Sequence, residues 1–210
     1  SLYLNSTKNN AISTYFKLNK DYDFKSLLLA FNELDNKNEI KLKLFVNTDR
    51  YNDELQKLRF LIKKLNIQKS IELNIVNELT PDVFKNSRIY ISTNVSNTLS
   101  YDLLLACCSG CYVLGFRENL FNNSLLRYYG IGQIVDNNDF FSLAKVMKES
   151  LKKTFYPLNQ RKNALEFSDL KWERTIEQII TEENKNLKDK YKEEKFHRKE
   201  IKRKNSINIG

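Results

Sequence analysis

Proline and glycine are scarce, with 2 and 5 among 210 residues. So few chain breakers exclude a long flexible linker in the body of the chain. Histidine occurs once, as His197, in a charged segment with no partner arrangement, and is assigned no catalytic role. The three cysteines, Cys107, Cys108 and Cys111, are odd in number and crowded into one segment. That excludes a secreted disulfide framework and suits a reducing compartment, so the cytosol or the cytosolic face of a membrane is the expected location. Cys107 and Cys108 are adjacent in one helix and cannot both face one metal easily; they read as small packing residues, and no metal site is expected. The longest apolar run, Leu103 to Cys108, falls far short of the roughly 20 residues that span a bilayer. No transmembrane helix, secretory signal, nucleophile motif or Walker-type loop is legible.

What is present is an ordinary globular composition, 41% hydrophobic and 29% charged, in a length that buries one sizeable core. The net charge is +9. Residues 182–204 hold ten Lys/Arg against six Asp/Glu, a surplus of four, and the remaining five charges are spread thinly. A tail this mixed in sign reads as a solvated helical extension laced with (i, i+4) pairs, with an anionic membrane surface as a further expectation for it. Nucleic acid is disfavoured, because no stacking aromatics at strand spacing accompany the basic residues. The chain opens on Ser1 without a methionine and runs quickly into strand-like sequence. The expectation is a linker over 1–10 from a missing N-terminal half, a domain over 11–180 and a charged basic tail over 181–210.

Apolar periodicity alternates between short β-branched runs and longer helical stretches, the pattern of βα units around a parallel sheet. Strands are expected at 11–16, 40–46, 71–76, 87–93, 112–116 and 132–135. Amphipathic helices are expected at 24–34, 53–65 and 139–152, a short helix with Pro81 at its first position, and a buried helix over 100–109 stopped by Gly110. Segments 160–183 and 184–204 continue as helix-like sequence; the first is apolar enough to dock on a surface, the second too poor in apolar residues to pack. The sum is an α/β domain, a Rossmann-like doubly wound parallel sheet with a C-terminal helical extension and no internal repeat.

Several stretches in order resemble the glycosyl transferases group 1 family (glycosyltransferase family four), retaining enzymes of the GT-B fold. Ile12-Ser13-Thr14-Tyr15-Phe16-Lys17-Leu18 followed by 19–31 is similar, without a gap, to that family's strand, Gly-Arg-Leu, Lys-Gly and leucine-rich helix. Residues 41–46 and 54–71 are similar to its next strand and helix, and 83–93 to the strand after it. Leu105-Ala106-Cys107-Cys108-Ser109-Gly110-Cys111-Tyr112-Val113-Leu114 resembles its "Glu-Ala-Met-Ala-Cys-Gly-x-Pro-Val-Ile", and Phe167-Ser168 before Trp172 its "Phe-Ser-Trp". The resemblance spans 11–180, the extent of a C-terminal nucleotide-sugar-binding half. It implies a nucleotide diphospho-sugar as donor substrate, no cofactor, and an acceptor held by an N-terminal half or a partner subunit.

The family's donor site is matched only in part. Lys17 falls on its phosphate-binding Arg, but Tyr22 falls on its Lys; Lys20 is close enough to substitute and Lys25 is a poorer candidate. Counting back from Gly110 puts the family's Glu-x7-Glu carboxylates at Asn97 and Leu105, so both are lost. Asp102, three residues before Leu105, is read either as a compensating donor-site carboxylate or as a surface Asp in the first turn of a helix. Asn97, Thr98 and Ser100 place N–H groups and hydroxyls at a helix start, a generic anion site and equally an ordinary capping set. Phe116-Arg117-Glu118-Asn119 replaces the family's Gly-Gly, and Arg117 either substitutes for backbone donors or obstructs the site. The donor-binding candidates are therefore Lys17, Lys20, Asn97, Thr98, Asp102 and Arg117, with no catalytic residue assigned. Two functions remain open: a retaining glycosyltransferase domain, or a catalytically inactive pseudo-glycosyltransferase used as a binding or scaffolding subunit.

Overall fold

Alternating short strands and amphipathic helices fold into a six-stranded, all-parallel sheet with strand order β3-β2-β1-β4-β5-β6. The computed structural model describes residues 10–48, 53–84 and 86–152, together with the helical residues Thr181 and Lys185. The strands are β1 Ala11–Lys17, β2 Lys41–Asn47, β3 Ile71–Ile75, β4 Ile89–Ser92, β5 Tyr112–Phe116 and β6 Gly132–Val135. The helices are α1 Phe24–Asn32, α2 Asp53–Lys64, α3 Tyr101–Cys108, α4 Leu120–Tyr129 and α5 Phe140–Lys152, with a 3-10 turn at Pro81–Phe84. All these elements belong to the first of two compact units, 1–165; the second is 166–210. The helix-like sequence of 160–183, the tail of 184–204 and the apolar face expected for docking lie outside the described residues, apart from Thr181 and Lys185.

The burial of each strand follows its place in the sheet. The central strands β1 and β4 are buried almost throughout, as strands covered on both faces must be. β2 alternates, burying Leu42, Leu44 and Val46 while Lys41 is exposed. Edge strand β3 exposes Glu72 and Asn74, polar groups that discourage pairing with another chain. Strand succession runs leftward from β1 to β3 and rightward from β4 to β6, so right-handed crossovers put α1 and α2 on one face and α3 and α4 on the other. The first face is sealed by α1, α2 and α5 over Ile12, Phe16, Leu42, Leu44 and Ile91. Phe16 and Phe24 stack there, with ring centroids 5.1 Å apart. On the other face, Phe84 meets Tyr90 edge-on at 5.1 Å.

Local sequence explains the element ends. Gly110 takes a φ of 74°, the left-handed conformation that stops α3 where the sequence places its end. Gly132 opens β6 because a β-carbon there would lie 2.1 Å from the Val113 carbonyl oxygen, so only glycine lets the two strands pair. Cys107 and Cys111 are buried, and the Cys111 thiol donates to the Ser87 carbonyl at 3.3 Å. Burial pushes the Cys107 thiol well up, so it stays a neutral, unreactive packing group. Helix α4 is the one described helix with no counterpart in the sequence reading. No helix among the described residues is long and apolar enough to cross a membrane.

Candidate functional site

The reversal of strand succession lies between β1 and β4, which places a crevice beyond their C-terminal ends. Its first wall is the β1–α1 loop. Asp23 caps α1 by accepting from Ser26 N at 3.1 Å, and its other carboxylate oxygen accepts from Asn137 Nδ2 at 3.0 Å, tying in the segment after β6. Tyr22 forms an isolated antiparallel bridge with Asn94. Flanking it, Asp23 N donates to Thr93 O and Val95 N to Asp21 O, each at 2.8 Å. The loop is thereby fastened across the end of β4.

The second wall is the β4–α3 loop, stitched by its own side chains. Asn94 accepts from Ser96 N at 2.9 Å and Ser96 Oγ at 2.7 Å, and its Nδ2 donates to Ser100 Oγ at 2.9 Å. Asn122, on α4, donates to Ser100 Oγ at 3.0 Å and to Ser92 Oγ at 3.3 Å. Asn119 caps α4 by accepting from Asn122 N at 2.9 Å, and its Nδ2 donates to Thr98 O at 3.0 Å. Two loops and two helix starts thus share one network.

Beneath this network lies Asp102. Its carboxylate accepts hydrogen bonds from the Tyr90 hydroxyl and, at 3.3 Å, from Ser92 Oγ. Burial raises its pKa above the ordinary carboxylate value, against the lowering effect of the Tyr90 and Ser92 hydrogen bonds. Burial and then the Asp102 charge push the Tyr90 phenol well up. Half-buried Tyr22 is pushed up to about 12, first by desolvation and then by Asp102 and Tyr15. The interior is one carboxylate among neutral phenols, hydroxyls and amides. No group of three or more His, Cys, Asp or Glu that could hold a metal occurs among the described residues.

The residues singled out from sequence divide sharply. Lys17 ends β1 and is exposed. Exposed Lys20 lines a cavity of about 390 Å³ with Tyr22, Lys25 and Glu54. Asn97 and Thr98 are exposed, but their polar atoms serve the scaffold: Asn97 Oδ1 accepts from Leu120 N at 3.2 Å, and Thr98 Oγ1 lies 2.9 Å from Ser96 Oγ. Asp102 corrects the surface reading, being only 5% exposed. The two hydroxyl donors on β4 hold it inward from the first turn of α3. Arg117 is exposed and pairs with Asp136 at 3.7 Å. Leu105 is half-buried on α3 and offers no polar group. Tyr90, Ser92, Asn94, Asn119 and Asn122 were missed by sequence reasoning; the Ser-Thr-Asn run at 92–94 that ends an apolar strand is the signal that marks three of these positions' neighbourhood.

No family model matches the chain. No curated protein matches it by sequence either. Solved structures do match it. Anabaena HepE in complex with UDP and glucose shares 13% identity at a TM-score of 0.67, over 86% of this chain and 48% of its own. Sucrose-phosphate synthase from Thermosynechococcus elongatus shares 14% at 0.63, over 88% of this chain and 47% of its own. The catalytic domain of the Helicobacter pylori cholesterol-α-glucosyltransferase shares 16% at 0.54, over 75% of this chain and 95% of its own. The chain thus spans about half the length of the first two. What is shared at such identity is architecture, and the chain carries the Rossmann-like α/β fold of GT-B glycosyltransferases.

Proposed function

We propose that the chain is the C-terminal, donor-binding half of a retaining glycosyltransferase, taking a nucleotide diphospho-sugar in the crevice between β1 and β4 while an N-terminal half or partner subunit holds the acceptor. The observation that carries this reading is the 3-2-1-4-5-6 strand order, whose switch point is rimmed by Lys17 and Lys20. Anabaena HepE, with the same architecture, is bound to UDP and to UDP-glucose. As phosphate ligand, Lys17 supplies a point charge against the charge that builds on the diphosphate as the donor's glycosidic bond breaks. Calorimetric titration of the full chain with UDP, GDP and their sugars tests it: saturable binding weakened by Lys17→Ala is expected. No binding of any of them overturns it.

A second reading, an inactive subunit with the fold but no turnover, is favoured by one specific observation. The carboxylate that α3 carries, Asp102, is buried and occupied by Tyr90 and Ser92, and Leu105 leaves the helix without another. Nucleotide-sugar binding without transfer or donor hydrolysis, in the presence of the acceptor half, selects this reading.

A further inference from the structure

We propose that the outward face of α2 docks on an anionic lipid bilayer, with Phe60 inserted at headgroup level and the cations around it held against the negative surface. Residues 55–71 hold five Lys/Arg, at 57, 59, 63, 64 and 69, and no Asp or Glu. All five are exposed. Helix α2 buries Leu55, Leu58 and Ile62, and helical geometry puts Phe60 on the side opposite these three. Phe60 is 69% exposed, more than any other large apolar side chain described. Lys57, Lys63 and Lys64 are its i−3, i+3 and i+4 neighbours, so cations flank the ring along the same face. Lys41 Nζ, which donates to Lys69 O at 2.7 Å, brings a further ammonium beside the end of this segment.

A lone exposed apolar side chain is ordinary on a protein surface, and lysines in a last helical turn suit the helix dipole. Those reasons cover Lys63 and Lys64 but leave Lys57, Arg59 and the cation-flanked Phe60 unexplained. Lys57 pairs with Glu54, whereas Arg59, Lys63, Lys64 and Lys69 join no ion pair among the described residues. Their charge is therefore free to act on a partner. The chemistry of the face selects which. Lysine is depleted at protein interfaces, whose centres are apolar, and single-stranded nucleic acid takes several stacking aromatics where α2 offers one. A bilayer surface accepts scattered lysines through its negative potential and an aromatic ring at its headgroup level. The crevice opens beyond the ends of β1 and β4, so this inference stands whether or not a nucleotide sugar binds there.

Flotation of the full chain with vesicles of phosphatidylcholine alone, and of phosphatidylcholine mixed with phosphatidylglycerol, tests the proposal. The chain should float with the anionic vesicles only, and less as salt rises. Replacing Lys63 and Lys64 together by Gln should weaken binding by about fivefold for each charge removed. Phe60→Ala should weaken it several-fold and leave the salt dependence in place, and Phe60→Trp should restore it. Arg127→Gln, an exposed charge on α4 across the sheet, should change little. All these positions are exposed, and circular dichroism checks that each variant keeps the fold. A wild-type chain that stays off anionic vesicles overturns the proposal, as does one retained by polyuridylate and not by lipid. Binding that survives in Phe60→Ala and in Lys63→Gln/Lys64→Gln, or that falls as much in Arg127→Gln, overturns the assignment to α2.

Discussion

The interior and the rim of the crevice are built on opposite terms. Inside, Tyr90, Ser92, Asn94, Ser100, Asp102, Asn119 and Asn122 are buried and bonded to one another. On the rim, Lys17, Lys20 and Arg117 are exposed, and the ion pair of Arg117 with Asp136 is long and open to water. A buried polar network with most partners satisfied fixes loop geometry, because each lost bond leaves a desolvated group behind. Exposed cations contribute little to stability and remain available for a ligand. Stability and ligand contact therefore rest on different residues here, and mutation can separate them.

The largest separation is expected at Asp102. Asp102→Ala leaves the Tyr90 and Ser92 hydroxyls buried without their acceptor, and should cost about 3 kcal/mol in urea unfolding. Asp102→Asn keeps an acceptor oxygen and loses the poorly solvated charge, so it should cost less than about 1 kcal/mol. Equal losses in the two variants would show that packing, not the hydrogen bonds, is what Asp102 provides.

The same carboxylate sharpens the contrast through pH. Its folded pKa is raised above the ordinary value of 3.8, so in the window above that value the folded state holds a proton the unfolded state has released. Its contribution to stability is thus fully present below 3.8 and is lost as pH rises through the folded pKa. Exposed Asp35 and Asp139 have lowered values, set first by their hydrogen bonds to Lys148 and Ser142, and act with the opposite sign as pH falls. Comparing melting temperatures of wild type and Asp102→Asn across the acidic range isolates the interior term. Wild type should lose stability relative to the variant as pH rises, so the deficit of Asp102→Asn is largest at the acid end and shrinks above it, and a constant difference would remove Asp102 as a titrating group.

How much was legible follows the same division. Strands 112–116 and 132–135 begin and end where periodicity places them, because apolar burial writes itself as a local pattern. The fourth strand is shorter than expected, Ile89–Ser92, as its flanks join loops. Helix α4 escaped notice because Asn122, Asn123 and Ser124 interrupt its apolar residues with poor helix formers. Those asparagines are inward: Asn122 serves the β4–α3 loop, and Asn123 Nδ2 donates to Arg117 O at 2.5 Å. The cap at Asn119 and the left-handed Gly130 are the signals that frame it. The surface alternative for Asp102 was open because its partners, Tyr90 and Ser92, lie on a strand, and no local pattern reveals a contact across the fold.

A smaller effect is expected at the junction of the two sets. Asn119→Ala removes the α4 cap and the bond to Thr98 O, and should cost about 1 kcal/mol. Because that bond anchors the β4–α3 loop, hydrogen exchange at 96–100 should quicken while exchange in β1 stays slow. Uniform protection in both segments would mean that Asn122 and Asn94 hold the loop unaided.

The smallest stability effect belongs to Lys17, and it carries the most about ligand contact. Its side chain is exposed at the end of β1, so Lys17→Ala should change unfolding free energy by less than about 0.5 kcal/mol. If the rim supplies charge to a diphosphate, the same variant should weaken UDP binding several-fold and flatten its salt dependence, since one exposed cation acts through a screened field. Lys17→Arg should restore both, because the guanidinium keeps the charge and adds a planar fork. A Lys17→Ala chain that binds UDP as wild type does would place the ligand's phosphates away from β1, and the rim would then lose its claim to be functionally distinct from any other exposed edge of the sheet.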